Sequence, residues 1–506
     1  MILELDRDSH TPLYAQIAIQ IRGMITGGAL KVGDRLPANR ELSKVLGVNR
    51  TTVNTAYEEL LADGLIESHV GRGTFISAIP SPPRRSWIKE PAPPPPIQWG
   101  PMLAGRKPDQ WLSGMPRNLP AAEAVSLAFA LPSPELFPIE EFRRSVDRVL
   151  RKEGSALLDH GSAAGYRPLR EYVAQQASLS GRAVAPEQVL ITSGCQQALS
   201  LIRQVLVRPG DEVIFETPTY PGALSVFCGY ETKYSCIPVN EGGIDLVLLE
   251  EALAQRRPRL IYTIPSFHNP TGVTMDLASR RKLLDLALKY RVPIVEDDIY
   301  GELRYDGPSL PSLKALDEYG VVIYINSFSK IGFPGIRVGW IIADKTVIDA
   351  LTVTKRANDL HTTLLSQAAI FEFSRRGLLA KHVKRIKKTY ANRRDVMLSA
   401  LEKYFPEEAT WTHPEGGLSI WVTLPESINA NQILIESMEK GVIFSPGEHF
   451  HANLSPANNM RLAFSTTNAQ SIEESIKRLG AILKARVGAL RKQDSGHGLE
   501  ALRALV

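Results

Sequence analysis

A lysine flanked by two hydroxyls stands just past an apolar run. Val321-Val-Ile-Tyr-Ile325 leads into Ser327-Phe-Ser-Lys330, followed by Ile331-Gly-Phe-Pro-Gly335 and Arg337. A primary amine held at a strand end can condense with an aldehyde to an imine. The glycine-rich turn gives a phosphate room to approach, and the Arg337 guanidinium can grip it with two donors. Alone, this motif describes many surface lysines, so the rest of the chain must decide.

Further segments narrow the chemistry. Glu296-Asp-Asp298 follows the apolar Val292-Pro-Ile-Val295. A carboxylate buried there is costly unless paired. A protonated pyridine nitrogen is such a partner, and the pairing keeps the ring an electron sink. Tyr300 could reach a ring hydroxyl. Asn269-Pro-Thr-Gly272, after another strand, offers an amide donor. Ser193-Gly-Cys-Gln-Gln197 opens a helix whose free N–H groups favour phosphate. Thr217-Pro-Thr-Tyr220 supplies an aromatic ring to stack on a flat heterocycle. Each segment alone has an ordinary reading: a turn, a solvated strand end, a core tyrosine, a helix cap. Together, in one α/β domain, they point to pyridoxal 5′-phosphate (PLP).

In this order the segments resemble the fold type I PLP enzymes, the aspartate aminotransferase superfamily, from about Val125 to Leu483. The resemblance implies that Lys330 is the Schiff-base lysine and Asp297 the pyridine-nitrogen partner. It implies that Asn269 and Tyr300 bind the ring hydroxyl and that Tyr220 stacks. Cys195, Gln196, Ser327, Ser329 and Arg337 would hold the phosphate. Arg461, in Met460-Arg-Leu-Ala-Phe464, would take a ligand carboxylate. There is one departure. His160, ahead of Gly165, stands where the family often has a tyrosine reaching the partner subunit's phosphate. Histidine can donate there too, with a strength that varies with pH.

These residues need a scaffold. Short apolar runs at 189–192, 212–215, 260–264, 292–295 and 321–325 alternate with helical stretches such as 196–207 and 277–290. That pattern predicts a large α/β domain, 123–485, built on a mostly parallel sheet. Residues 380–485 add a smaller α/β subdomain. Residues 486–506, with Gln493-Asp-Ser-Gly-His-Gly498, read as a mobile C-terminal tail.

Residues 1–78 form a separate head. Leu13, Ile17, Ile21 and Ile25 mark one face of a first helix, which Gly27-Gly28 ends. Helices follow at 40–46 and 51–63, then two short strands around Gly71-Arg72-Gly73. This is a mainly α, winged helix-turn-helix pattern. Gly47-Val48-Asn49 is the tight turn, and Asn49-Arg50-Thr51-Thr52 places short donors and an arginine at a helix N-terminus, the end that enters a major groove. Arg40 and Arg72 could flank it. The head has eight Lys/Arg and nine Asp/Glu, formally −1, so affinity for DNA must come from a local patch.

The head resembles the GntR family of bacterial regulators. The matching residues include Pro12-Leu-Tyr14, Gly33-Asp-Arg-Leu-Pro37, Arg40-Glu-Leu42, Leu46-Gly-Val48, Arg50-Thr-Thr-Val53 and Gly71-Arg-Gly-Thr-Phe75. The resemblance implies contacts to double-stranded operator DNA by Arg40, Asn49, Arg50, Thr51, Thr52, Gly71 and Arg72. Asn54 occupies a place where family members often carry a further arginine.

Between the two parts, residues 79–122 are proline-rich. Their PAPPPP run favours an extended, semi-rigid spacer, in which Arg84, Arg85 and Lys89 could touch DNA or the second domain. The chain has 506 residues, a formal net charge of +5 and only three cysteines, Cys195, Cys228 and Cys236. So sparse a set argues for a reducing, cytoplasmic setting and against a disulfide framework, and no zinc-site spacing appears. The opening MILELDRDSHTPLY does not read as a signal peptide, and no apolar run is long enough to span a membrane.

A GntR head joined to an aminotransferase-like domain resembles the MocR-type regulators. That implies a domain-swapped homodimer in which an amine or amino-acid effector displaces Lys330 to form an external aldimine and alters DNA binding. Physiological turnover is not required, although a half-reaction is possible. The alternatives are a working aminotransferase with an accessory head, and a regulator that senses PLP itself.

Overall fold

The computed structural model describes residues 3–7, 9, 11–69, 72–77, 124–228 and 231–503, those from 492 on as backbone only. The linker 79–122, with Arg84, Arg85 and Lys89, lies outside the described residues, as does Gly71. The chain divides into two compact units, 1–102 and 103–506.

The first unit contains α1 (Leu13–Thr26), β1 (Arg35–Leu36), α2 (Asn39–Leu46), α3 (Arg50–Ala62), β2 (Ile66–His69) and β3 (Gly73–Ile76). The strands form an antiparallel sheet in the order β1-β3-β2. Ile17 and Ile21 of α1 and Val53 and Leu60 of α3 are fully buried, as the four-residue spacing required. The Tyr57 hydroxyl donates to the Pro37 carbonyl at 2.9 Å and ties α3 to the turn before α2. Gly47, at φ 61°, ends α2 in the left-handed region, where a glycine carries no Cβ penalty. Asn49 then caps α3, its side chain accepting the Thr51 N–H at 3.2 Å. The expected three helices and hairpin are present, and β1 completes a three-stranded wing.

The second unit starts with β4 (Val125–Ser126) and builds one large sheet. Its strands are β5 (Val189–Thr192), β6 (Glu212–Thr217), β7 (Lys233–Asn240), β8 (Gly243–Ile244), β9 (Leu260–Thr263), β10 (Ile294–Asp297), β11 (Val322–Ser327) and β12 (Gly339–Ile342). The spatial order is β5-β12-β11-β10-β9-β6-β7-β8. Strands β6, β7, β9, β10 and β11 run parallel, while β12 is antiparallel to both neighbours. Residues of β5, β9, β10 and β12 are buried throughout, as expected for strands covered on both faces. Asp297 and Ser327 are the last residues of β10 and β11. Both therefore emerge at the carboxyl ends of parallel strands, where open α/β sheets form their crevices.

A smaller sheet joins β13 (Thr410–Trp411), β14 (Ser419–Thr423), β16 (Ser445–Pro446) and β17 (Asn459–Ala463) in the order β13-β14-β17-β16. A separate pair, β15 (Val442–Ile443) with β4, runs parallel. The chain therefore enters the second unit beside its smaller subdomain. The expected tail from 486 is corrected: one helix spans Ala469–Arg503. Ile472, Ile476, Leu479, Leu483 and Val487 are buried at helical spacing and carry the helix past the anticipated boundary. Gly480 lets this helix approach the backbone of Tyr404, where a Cβ would collide. Among the described residues no helix is long and apolar enough to cross a membrane.

The head core depends on a few fully buried aliphatics. Leu60→Ala should destabilise the head by ~2–5 kcal/mol, measured by denaturant unfolding. Val45→Ala, at a position 74% exposed, should change it by less than about 0.5 kcal/mol.

Candidate functional site

Three acidic residues in a row leave β10, and the period of two in a strand separates them. Glu296 turns away from the crevice and accepts the N–H groups of Leu313 and Lys314 at 2.7 and 2.8 Å. Asp298 accepts the Tyr324 hydroxyl at 3.1 Å. Only Asp297 faces the cavity, 3% exposed. Burial pushes its carboxyl up to about 6, against the stabilising hydrogen bonds of the Tyr262 hydroxyl at 2.9 Å and the Ile299 N–H.

Lys330 lines the same cavity. Its Nζ donates to the Ala130 carbonyl at 2.7 Å and sits 5.8 Å from the centre of the Tyr300 ring. What exposure it retains faces the cavity that it lines. Burial first, and then the Arg461 guanidinium, bring its amine down to about 8, with Cys195 and Asp297 opposing. A useful fraction of the amine is thus neutral and nucleophilic near neutral pH. Burial also raises the Tyr300 hydroxyl, which Arg461 opposes.

Arg461 is 5% exposed. Its Nη1 donates to Asn269 Oδ1 at 2.9 Å and its Nη2 to the Ala128 carbonyl at 2.5 Å. The guanidinium stacks 4.8 Å from the Phe450 ring centre, and burial brings it down to about 10. Its Nε is buried with no acceptor among the described residues. A buried cationic donor in that state is suited to a ligand's negative charge.

At the other end, the helix Cys195–Leu206 points its N-terminus at the crevice. The amides of Cys195 and Gln196 stand in its first turn, where no intrahelical carbonyl reaches them. Gly194, at φ 99°, leaves room that a Cβ would take from Arg337 Nη2. Arg337 is exposed and donates to the Ser193 carbonyl at 2.8 Å and the Pro334 carbonyl at 3.2 Å. Ser327 is buried and its Oγ accepts the Ser329 N–H at 3.2 Å. Burial pushes the Cys195 thiol well up, with Asp297 adding and Ser327, Lys330 and Arg337 opposing, so these groups share one neighbourhood.

Cys195, Tyr220, Asn269, Asp297, Tyr300, Lys330 and Arg461 thus line one cavity of about 270 Å³. The Gln196 side chain is turned elsewhere: it accepts the Tyr220 hydroxyl at 3.2 Å and donates to the Gly222 carbonyl at 3.0 Å, leaving its backbone amide for the crevice. His160 is exposed and outside the cavity lining, its ring 5.8 Å from that of His361. Sequence reasoning passed over Tyr262, read only as part of an apolar strand. Its signal was a polar tip in a run otherwise buried.

On the head, Arg40, Asn49, Arg50, Thr51 and Arg72 are exposed and Thr52 is half-buried. The Asn49 side chain is engaged as the α3 cap, and Asn54 accepts from Asn39.

Residues 137–479 match the family of class I and II aminotransferases, and residues 13–76 match the gntR family of bacterial regulatory proteins. The chain is 41% identical to aromatic-amino-acid aminotransferase 1 of Thermococcus litoralis over 72% of its length and 88% of that enzyme's. It is 32% identical to the HTH-type transcriptional regulator YisV of Bacillus subtilis over 93% of its length and 96% of that protein's. It is 29% identical to the rhizopine catabolism regulatory protein MocR of Rhizobium meliloti, covering 94% and 95% of the two chains. The structure of LysN, an α-aminoadipate aminotransferase of Thermus thermophilus complexed with N-(5′-phosphopyridoxyl)-L-leucine, superposes with a TM-score of 0.73 at 36% identity, over 78% of this chain and 100% of that one.

The depressed Lys330 amine sets a pH dependence for reaction with an added aldehyde. The reconstitution rate of cofactor-free protein with PLP should rise with pH and level off above a midpoint near 8. Stopped-flow absorbance reads it, and a rate still climbing steeply at the pH where ordinary lysines titrate would contradict the buried amine.

Proposed function

Because this chain belongs to the class I and II aminotransferase family and carries a GntR-family head, the combination of the MocR-type regulators, we propose that its cavity is the sensor of a DNA-binding transcription regulator. Its cofactor is pyridoxal 5′-phosphate. The signal is an amine or amino acid that takes Lys330's place on the cofactor and changes the affinity of the head for its operator.

The residues present fit that cofactor. A buried carboxylate at Asp297 calls for a cationic partner, Lys330 is a nucleophilic amine, and the Arg461 Nε lacks an acceptor among the described residues. Bound PLP supplies an aldehyde carbon at which amines exchange and a ring that withdraws electrons. Lys330 would tie it down. Asp297, kept charged by Tyr262, would face the ring nitrogen. Asn269 and Tyr300 would serve the ring hydroxyl and Tyr220 the ring face. The amides of Cys195 and Gln196, with Ser327, Ser329 and Arg337, would hold the phosphate, and Arg461 would meet an effector carboxylate. In the head, Arg50 at the start of α3, together with Arg40, Asn49, Thr51, Thr52, Gly71 and Arg72, would meet DNA. The working form would be a domain-swapped homodimer in a bacterial cytoplasm.

One observation carries this reading: a DNA-type head and a complete lysine–aspartate–arginine cavity stand on a single chain. The completeness of the cavity also favours a second reading, a working aminotransferase.

Two assays separate the readings. DNA affinity that changes with an amine, without steady turnover of an amino donor and keto acceptor, supports the regulator. Sustained turnover with DNA affinity unmoved supports the enzyme, and a response to PLP alone supports a sensor of the cofactor. Arg50→Ala should weaken operator binding by ~1–3 kcal/mol if Arg50 reads a base. Full binding with unchanged sequence preference would remove that role.

A further inference from the structure

Successive peptide groups leading into the helix Cys195–Leu206 are each gripped by a side chain. The Ser193 N–H donates to Gln197 Oε1 at 2.7 Å. The Ser193 carbonyl accepts from Arg337 Nη2 at 2.8 Å. The Gly194 carbonyl accepts the hydroxyl of Thr192, the fully buried last residue of β5, at 3.2 Å. A peptide group is planar, so holding its oxygen or its N–H orients the whole plane. The last of these planes carries the Cys195 N–H.

Gln197 can hold the first plane only if its amide faces the right way. Its Nε2 donates to Asp359 Oδ2 at 2.6 Å. A carboxylate only accepts, so the amide turns its nitrogen to Asp359 and its oxygen to Ser193. Asp359 ends the helix Lys345–Asp359 and is itself held by Lys355, one turn earlier. The Lys355 Nζ donates to the two Asp359 oxygens at 2.8 and 3.0 Å. The Lys355 side chain is fully buried, and a buried ammonium is costly unless paired. Each link from Lys355 to Ser193 therefore has one possible polarity. Gln197, Asp359 and Lys355 stand outside the cavity lining and reach it through Ser193.

We infer that Gln197, Asp359 and Lys355 are positioning residues for the cofactor's phosphate, and that they set this chain's preference for PLP over its phosphate-free form, pyridoxal. This rests on the reading above that the amides of Cys195 and Gln196 meet the phosphate. Hydrogen bonds weaken steeply with misalignment, so donors for a compact anion must be aimed before it arrives. Without the relay the Ser193 peptide can turn, and the amides beyond it turn with it. The ring end of the site is secured separately, Asp297 by the Tyr262 hydroxyl and Lys330 by the Ala130 carbonyl. A fault in the relay is therefore felt at the phosphate and not at the ring.

The test compares the two cofactor forms. Cofactor-free full-length protein is titrated with PLP and with pyridoxal, and binding is read by absorbance. The unmodified protein should bind PLP the more tightly. Gln197→Leu should lower PLP affinity on the order of tenfold, about what one hydrogen bond to a charged group contributes, and leave pyridoxal affinity unchanged. Lys355→Met combined with Asp359→Leu removes both charges together, strands neither, and should have the same selective effect. It also carries the test if Gln197→Leu fails to fold. An equal loss for both forms would make the relay a merely structural element and overturn the proposal, as would unchanged PLP affinity in Gln197→Leu. A selective loss in Gln197→Leu but not in the double variant would remove Lys355 and Asp359 from the relay. If the unmodified protein binds both forms equally, the reading that these amides meet the phosphate fails before any variant is made.

Discussion

The large unit is organised around keeping an amine and a carboxylate together where water does not dilute their chemistry. Burial is the largest influence driving each toward its neutral form, and with their neighbours Lys330 comes down to about 8 and Asp297 up to about 6. Those shifts leave a window near neutral pH in which the acid is charged and a fraction of the amine is free. Tyr262 widens it from one side by donating to Asp297, and Arg461 from the other by disfavouring the ammonium. The sheet is the device that makes this possible. Adjacent parallel strands deliver Asp297 and Ser327 to the same edge, and the antiparallel β12 closes the sheet between β11 and β5 beside them.

The head works under the reverse constraint. Its arginines must stay in solvent to meet phosphate and base edges, so its core is confined to aliphatics and Tyr57 on the inner faces of three helices and of the strands that carry Leu36, Ile66 and Ile76. The net charge of the head gives it no general affinity for DNA, which places the burden on the N-terminus of α3 and the wing. Sensor and reader thus make opposite demands on burial, and a chain that meets both does so by dividing them between two compact units.

Much of this was legible in the sequence, and the exceptions have physical causes. The helix spacing of Ile17 and Ile21 and the continuous apolar runs of β5 and β9 declare their burial directly. Lys330, Asp297, Asn269, Tyr300 and Tyr220 were found because each carries unusual chemistry next to a strand end, and they converge on one cavity. β7 and β12 escaped notice: β7 is a half-exposed strand with a mixed sequence, and β12 is four residues that follow a turn. Tyr262 was hidden because a tyrosine in an apolar run looks like core, and only the fold brings its hydroxyl to Asp297. The helix through 469–503 outran its expected end because the polar Gln493-Asp-Ser-Gly-His-Gly498 run reads as a tail by composition, while the buried face of Ile472, Ile476, Leu479, Leu483 and Val487 starts a helix that continues through it. The carbonyls of Ala128 and Ala130 could not be read at all, since backbone contacts leave no trace in side-chain type.

The central claim is that events at Lys330 are felt at the DNA. It is tested most directly by titrating the cofactor-loaded protein with amino acids and amines while recording, in one sample, cofactor absorbance and affinity for a duplex from its own upstream region. The account predicts that for the true effector the two signals change together, with a common midpoint, and that Lys330→Ala abolishes the coupling. A complete absorbance change with DNA affinity unmoved, for every ligand that reacts, would contradict it.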